Sequence, residues 1–176
     1  MLSNFIEMII KKIQFISDRF YSPAPPKIKL KTMNIKDKIE FQAFLKKMKE
    51  NGIKIAILSI STPGVYFKET EFPQGFSEEL ARTSNEIIAE KIKKYPESFG
   101  GFATIPMLNP QAAIDELNYA FDTLHLNGVC LMTNYLGKYL GNKFYEPFFK
   151  ELNKRKAVVY IHPTDPGDDY YFEMGF

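Results

Sequence analysis

Apolar and polar positions follow a helical period in the first part of the chain. Residues 5–20 place six large apolar side chains three or four positions apart, which predicts a helix. A proline-rich segment over residues 22–26 ends this helix. Residues 36–50 predict a second, lysine-rich helix that stops at Asn51-Gly52. Two helices are therefore expected before the first strand.

From Ile53 onward, apolar runs of strand length alternate with amphipathic segments. Strands are predicted at residues 53–60, 99–105, 128–133 and 157–162. These runs are continuously apolar, which is typical of strands buried on both faces. Strand–helix alternation with short loops predicts right-handed crossovers and a parallel sheet, so the fold class is α/β. The pattern does not separate an open sheet from part of a barrel.

Three amphipathic helices lie between these strands. The first covers residues 77–95, with Ser77 as its expected N-cap. The second begins at Asn109-Pro110, an N-cap followed by proline at the first helical position. The apolar positions of the second and third helices are Ala113, Leu117, Ala120, Phe121 and Leu124, and then Phe144, Phe148, Phe149 and Leu152.

Composition places the chain among globular proteins. It has 176 residues, of which 45% are hydrophobic and 25% charged. The length suits one domain but falls short of the roughly 250 residues of a complete α/β barrel. The single cysteine, Cys130, excludes an internal disulfide and is expected to be an inert core residue. No apolar run approaches the ~20 residues that cross a bilayer, so we expect a cytoplasmic protein without a membrane partner.

Charge is unevenly distributed, although the net charge is only +2. The first 60 residues carry twelve Lys and Arg against five Asp and Glu. Because these lysines alternate with apolar residues, a solvated helix face is favoured over a nucleic-acid partner. The last eleven residues, 166–176, are acidic and aromatic.

Candidate chemistry is sparse and lies where strands end. In parallel sheets functional side chains collect at the carboxyl ends of the strands, and His162 closes the last predicted strand. The residue pattern alone favours a structural role or a hydrogen bond to substrate for His162. His125 is expected to satisfy carbonyls at a helix end. Gly100-Gly101 indicates close packing or a bulge. The sequence contains no nucleophile elbow, phosphate loop or paired-histidine zinc motif.

Six segments, in this order and spacing, resemble the amidohydrolase-related proteins of the aminocarboxymuconate-semialdehyde decarboxylase group. They are residues 59–65 (SISTPGV), 81–86 (ARTSNE), 95–106 (YPESFGGFATIP), 113–117 (AIDEL), 127–137 (NGVCLMTNYLG) and 159–163 (VYIHP). The resemblance covers most of the chain. It divides the chain into an N-terminal helix with its proline-rich connection (1–34), a partial barrel (35–165) and an acidic-aromatic tail (166–176).

The resemblance implies part of a TIM (β/α)8 barrel with a divalent metal at its mouth, zinc or in some members manganese. It also implies non-oxidative decarboxylation of an aromatic or unsaturated carboxylic acid, which is the expected small-molecule partner. His162 matches the metal ligand of the middle strand. Arg82 and Asn85 match an Arg-x-x-Asn motif that supports the site and substrate, with a helix-face ion pair as the alternative. Asn134 matches a loop that borders the substrate pocket.

No His-x-His or Glu-x-His precedes Ile53, so His162 would be one of about four metal ligands. We therefore expect a truncated carboxy-lyase that is impaired as a lone chain. The alternatives are a non-catalytic interaction module and a metal-dependent hydrolase on the same scaffold. Half a barrel also leaves two apolar edges, which predicts exposed apolar surface unless a homo-oligomer or a partner covers it.

Overall fold

The computed structural model describes residues 35–60, 64–66 and 74–165, in two compact units. The first unit ends at Lys54 and contains helix α1 (Ile35–Glu50). At its end the Asn51 amide donates a hydrogen bond of 2.8 Å to the Lys47 carbonyl, and Gly52 adopts a φ of +67°. The predicted helix at 5–20 and the tail lie outside the described residues, so the domain limits at 34 and 165 stay predictions.

The second unit begins at Ile55 and alternates strands with helices. Its elements are β1 (Ala56–Leu58), α2 (Phe76–Lys94), β2 (Phe99–Thr104), α3 (Pro110–Asp122), β3 (Gly128–Met132), β4 (Asn134–Tyr135), β5 (Lys138–Tyr139), a 3-10 turn (Lys143–Tyr145), α4 (Glu146–Arg155) and β6 (Val159–His162). None of the described helices combines the length and the apolar character that a membrane crossing needs.

Four strands form one parallel sheet in the order β1-β2-β3-β6. The register pairs Ala56 with Phe99, Phe102 with Gly128, and Val129 with Val159. Spatial order follows chain order, with helices between the strands, as in four consecutive units of a (β/α)8 barrel. The predicted parallel sheet is confirmed, and the sheet is a curled half barrel.

A short antiparallel hairpin, β4–β5, follows β3 and was not predicted from the sequence. Its two turn residues, Leu136 and Gly137, have φ angles of +52° and +79°. Two consecutive positive φ angles match the turn that joins two-residue hairpins. Leucine seldom adopts this conformation, so the sequence carries only Gly137 as a turn signal.

Burial differs between the inner and outer strands of the sheet. Every residue of β3 is buried, and β2 is buried except for Phe102, as predicted for strands covered on both faces. The same prediction is wrong for β1 and β6, which are mostly exposed or half-buried. The reason is their position, since each is an outer strand with a single neighbour among the described residues.

The start of α2 corrects one sequence-based expectation. The N-cap is Gly75, with a φ of +80°, and not Ser77, which is the second residue of the helix. Phe76 is buried at the first helical position, so the glycine turn directs this side chain into the core. The expected cap of α3 is confirmed, because Asn109 Oδ1 accepts hydrogen bonds from the backbone N–H groups of Gln111 and Ala112.

Glycines in the sheet allow neighbouring side chains and strands to pack closely against it, and β2 pairs with β1 through Gly100 and Gly101 without a bulge. An added Cβ at Gly101 would collide with Ile88 of α2, and one at Gly100 would lie 2.7 Å from Cδ1 of Ile57. The close-packing interpretation of this pair is therefore confirmed. Gly128 is more constrained, because its Cβ would lie 2.6 Å from the Val158 carbonyl oxygen, a backbone atom of the strand segment beside it.

We expect Gly128→Ala to destabilise the chain by about 1–3 kcal/mol, because backbone atoms cannot move aside without separating β3 from β6. Urea unfolding followed by circular dichroism measures this loss. Gly141→Ala is the matched control, since a Cβ there meets nothing within 4 Å. The control should change the unfolding free energy by less than about 0.5 kcal/mol. Equal losses in both variants would contradict the β3–β6 packing.

Candidate functional site

The carboxyl ends of the four parallel strands lie at one edge of the sheet, and the loops that follow them meet there. The Cys130 thiol on β3 lies 3.6 Å from the Ile60 carbonyl oxygen beyond β1. Tyr66, later in the same connection, packs edge to face on Tyr135, with ring centroids 5.3 Å apart. The described loops thus converge around the end of β3. Residues 61–63, at the predicted end of strand one, lie outside the described residues.

A hydrogen-bonded cluster of Thr133, Asn134 and Thr164 joins the loop after β3 to the loop after β6. The two threonine hydroxyls lie 2.6 Å apart, and Thr133 Oγ1 accepts the backbone N–H of Thr164. Asn134 Nδ2 donates to Thr164 Oγ1 at 3.0 Å and to the Asp165 carbonyl at 2.9 Å. Both amide hydrogens are therefore used within the chain. These contacts fix the two loops relative to each other, and a substrate contact of Asn134 stays a prediction.

Three tyrosines, Tyr66, Tyr135 and Tyr145, pack edge to face beside this cluster. Tyr135 is buried and its hydroxyl oxygen accepts the N–H of Met132 at 3.0 Å. Burial raises the pKa of Tyr135 well above its ordinary value and that of Tyr145 to about 12. Burial, together with the Asp165 carboxylate, also raises the pKa of Tyr66. At neutral pH these phenols are uncharged and supply no base. Tyr135 and Tyr145 are buried, so among the three only the half-buried Tyr66 keeps exposed ring surface.

His162 is the last residue of β6 and pairs with Met132. Its Nδ1 lies 2.8 Å from the Pro163 carbonyl oxygen. Because a carbonyl only accepts, this contact assigns a hydrogen to Nδ1, and in that tautomer Nε2 is the acceptor. A ring N–H anchored on a backbone carbonyl is the usual arrangement behind a metal-ligating histidine. The half-buried ring at the strand end is thus suited to bind through Nε2.

The other candidate ligands do not gather around His162. Within residues 35–60, 64–66 and 74–165, no three His, Cys, Asp or Glu side chains form a group able to hold a metal ion. His125 lies at the end of α3, where Nδ1 is 3.3 Å from the Phe121 carbonyl oxygen, as predicted for a structural residue. Cys130 is buried, and burial raises the pKa of its thiol, which keeps it protonated.

Arg82 and Asn85 meet a third residue, Glu116, between α2 and α3. Arg82 Nε donates to Glu116 Oε2 at 2.7 Å, and Asn85 Nδ2 donates to Glu116 Oε1 at 2.8 Å. Asn85 also holds the end of β2, since it accepts the N–H of Thr104 and donates to its carbonyl at 2.8 and 2.9 Å. The Arg82 guanidinium lies 3.6 Å from the centroid of the Tyr119 ring. The Arg82–Asn85–Glu116 network therefore links two helices to the carboxyl end of β2.

Glu116 is the residue that sequence reasoning missed. It is only 4% exposed, and it lies on the inward face of α3 with Ala113, Leu117 and Ala120. The signal was present, because positions 113, 116, 117 and 120 share the same helical stripe. A carboxylate in such a stripe requires hydrogen-bond donors from a neighbouring element, and Arg82 and Asn85 supply them.

Burial raises the pKa of Glu116 above the ordinary value of a glutamate, although hydrogen bonds from Asn85 and Arg82 oppose the shift. A carboxyl group whose pKa is raised on folding stabilises the fold fully below its unfolded pKa, and this contribution is lost as pH rises through the folded pKa. We therefore expect the unfolding free energy of the wild type, relative to Glu116→Gln, to fall as pH rises from about 4 and then level off. Denaturant titrations between about pH 4 and 8 measure it, and a relative stability that rises over this range would contradict the buried carboxyl.

Comparison with known proteins points to one family. The amidohydrolase family model matches residues 41–173, three quarters of the chain. The decarboxylase yanB of Aspergillus niger is 41% identical over 132 residues, which is 73% of this chain and 35% of that protein. The 6-methylsalicylic acid decarboxylase acuB of Aspergillus aculeatus is 38% identical over 66% of this chain and 36% of that protein. The chain thus spans about a third of the length of these relatives.

A solved structure agrees with this likeness. The dihydroxybenzoic acid decarboxylase of Polaromonas sp. JS666, determined with bound manganese and the inhibitor 2-nitroresorcinol, superposes with a TM-score of 0.64 at 26% identity. The match covers 81% of this chain and 46% of the other. The half-barrel fold, the family model and the sequence identity to these decarboxylases agree: the chain belongs to the amidohydrolase family.

Proposed function

We propose that this chain carries part of the active-site mouth of a divalent-metal-dependent, non-oxidative decarboxylase of aromatic carboxylic acids, and that it is impaired as a lone chain. The observation that carries the proposal is His162, which ends β6 with Nδ1 anchored on Pro163 and Nε2 left as an acceptor. Relatives that share the family are decarboxylases by name, which supports the reaction class. A small aromatic acid is the proposed substrate, and the lone buried Cys130 favours a cytoplasmic location.

The described residues do not fit a complete metal centre. A catalytic zinc site takes three protein ligands and keeps one open position, whereas the described residues bring no three such side chains together at this edge. A divalent ion, manganese or zinc, would supply Lewis-acid polarisation of a substrate oxygen. Further ligands would have to come from outside the described residues, so no reaction step is assigned to a metal here. Because the described residues provide an incomplete set of metal ligands, the second candidate function is a non-catalytic module that keeps the family fold.

Other residues act by positioning the loops and strand ends of the proposed site. The Thr133–Asn134–Thr164 cluster holds the loop that carries Asp165 next to the end of β3. Tyr66, held edge to face on the buried Tyr135, presents the ring surface against which an aromatic substrate would pack. Arg82 and Asn85 support the site through Glu116 and Thr104 at the end of β2. A direct contact of the partly exposed Arg82 with the substrate carboxylate is part of the proposal. The amide hydrogens of Asn85 and Asn134 are used within the chain, so these two residues position their neighbours instead.

The test is metal-dependent release of CO2 from 6-methylsalicylate and 2,6-dihydroxybenzoate by the chain with added Mn²⁺. We expect slow release that stops with EDTA and in His162→Ala, because Nε2 of His162 is the ligand this edge offers. His125→Ala is the matched control and should keep the wild-type rate, since His125 caps a helix end. Release that survives in His162→Ala would contradict the proposal, and no release from any variant would favour the non-catalytic module.

A further inference from the structure

Both outer strands present uncovered apolar side chains. Near β1, Ile55 and Ile57 are 52% and 47% exposed, and near β6, Val158, Tyr160 and Ile161 are 56%, 48% and 51% exposed. Among the described residues, β1 pairs only with β2 and β6 only with β3. Within the described part of the chain, each outer strand therefore keeps one row of unpaired backbone groups beside apolar side chains.

Neither edge carries the features that keep sheet edges from pairing. Residues 55–60 (IAILSI) and 157–162 (AVVYIH) contain no Lys, Arg, Asp, Glu or Pro. Natural proteins protect exposed edges with charges, prolines or bulges, and an unprotected apolar edge pairs with another strand. Parallel strands in particular are found with both faces covered. The composition of both edges therefore favours pairing with a further strand at each of them.

One face of the sheet also carries exposed apolar side chains. Gly101 faces Ile88 and Ile92 of α2, so its neighbours Gly100 and Phe102 face the opposite side. On that opposite side the Phe102 ring stacks on Tyr160 with centroids 6.4 Å apart, and Ile57 lies over Gly100. This is the face that the interior of an eight-stranded barrel buries, because eight strands enclose a space that side chains just fill.

Symmetry shows how a second copy would satisfy both edges at once. All four strands are parallel and their spatial order follows the chain. A two-fold axis along the strand direction keeps every strand parallel and brings β6 of one copy beside β1 of the other. The same operation brings β1 of the first copy beside β6 of the second, so the contact closes and leaves no edge. Four strands from each copy make the eight of a complete barrel.

We propose that two copies of this chain associate edge to edge, β6 of each against β1 of the other, to close an eight-stranded parallel barrel. The partner is a second copy because the two open edges belong to one molecule and are complementary in direction, number and apolar character. Each copy adds its own His162 and Asp165 to the shared mouth, so the mouth of either half is incomplete without the other. The association follows from the sheet edges and does not depend on the proposed reaction.

The first test is the mass of the purified chain by analytical ultracentrifugation at micromolar concentration. We expect twice the 20.4 kDa of one chain. Ile161→Lys and Ile55→Lys, which charge the β6 and β1 edges, should each shift the species to a monomer with unchanged circular dichroism. Leu136→Lys is the matched control, because this leucine is 49% exposed on the β4–β5 turn, and it should stay dimeric.

The second test identifies which edges meet. Singly substituted chains, Ala56→Cys and Ile161→Cys, place both thiols on the helix-covered side of the sheet. They are mixed and treated with a short bis-maleimide cross-linker, with Cys130 buried in both. The closed barrel predicts cross-links between position 56 of one copy and position 161 of the other, in several-fold excess over links between two copies of position 161. The excess should vanish when either chain also carries Ile55→Lys.

Four results would overturn the proposal. A monomer that binds a dye for apolar surface would show that the two edges are exposed but do not pair with a second copy. A monomer that does not bind the dye would show that both edges are already covered within one chain. A dimer linked mainly through two copies of position 161 would show antiparallel β6–β6 pairing. A series of larger species would show open, head-to-tail pairing that does not close. The absence of decarboxylation or metal binding would leave the dimer unaffected, so the two proposals fail separately.

Discussion

Replacing Asn85 with alanine should lower the free energy of unfolding by about 3–5 kcal/mol. Asn85 is fully buried and bonds to both backbone groups of Thr104 and to the Glu116 carboxylate. The substitution leaves a backbone N–H, a backbone carbonyl and part of a buried carboxylate without these partners. Buried polar groups that lose their partners cost the full penalty of desolvation, and the cost is larger when one group is ionised. Urea or guanidinium unfolding at pH 7 measures the loss.

Asn153→Ala is the matched control for Asn85→Ala. Asn153 lies exposed in α4, and the same substitution there should change stability by less than about 0.5 kcal/mol. If Asn85→Ala were as mild as its control, the hydrogen bonds of Asn85 would not hold α2 to the end of β2. Support of the site by the Arg82–Asn85–Glu116 network would then be excluded.

Replacing Phe148 with alanine should cost about 3–5 kcal/mol, as is usual for a buried phenylalanine. Phe148 has no exposed surface and lies on α4, in the core that the inner strands share. Its ring meets Phe149 edge to face, with centroids 5.9 Å apart. Since α4 leads directly into β6, the cavity would also loosen the element that positions His162.

Phe149→Ala tests whether depth in the core decides the effect. Phe149 is only half-buried at the margin of the same cluster, so a clearly smaller loss than for Phe148→Ala is expected. A larger loss for Phe149 would mean that α4 packs on the sheet through a different face. Thermal and urea unfolding of the two variants, measured side by side, show which substitution causes the larger loss of stability.

Local patterns in the sequence predicted the helices and strands and the order in which they are connected. The cap at Asn109, the apolar stripe from Ala113 to Leu124 and the run at residues 128–133 each depend on neighbours close in the chain, and all appear in the structure. The glycine pair at 100 and 101 was also interpretable, since closely packed strands and helices require small residues. The parallel order then follows from short crossovers.

Features set by distant partners could not be predicted in the same way. The predicted strand at residues 53–60 is paired only over Ala56–Leu58, because pairing depends on where β2 runs beside it. The buried role of Glu116 requires donors 31 and 34 positions earlier, which no local window contains. The internal hydrogen bonds of Asn134 depend on Thr164, which belongs to another loop. The position of His162 at a strand end was predictable, whereas its Nδ1 contact with Pro163 required the structure.

We propose that the mouth of this half barrel presents the Nε2 atom of His162 to a divalent cation, and the histidine rings themselves provide the test. The chain contains only two histidines, so ¹⁵N-labelled histidine gives two sets of ring signals. Titration with Mn²⁺, a paramagnetic ion, broadens the signals of the ring it approaches. We expect the ring signals of His162 to broaden at Mn²⁺ concentrations that leave those of His125 sharp. Broadening of His125 first, or of both rings together, would contradict it.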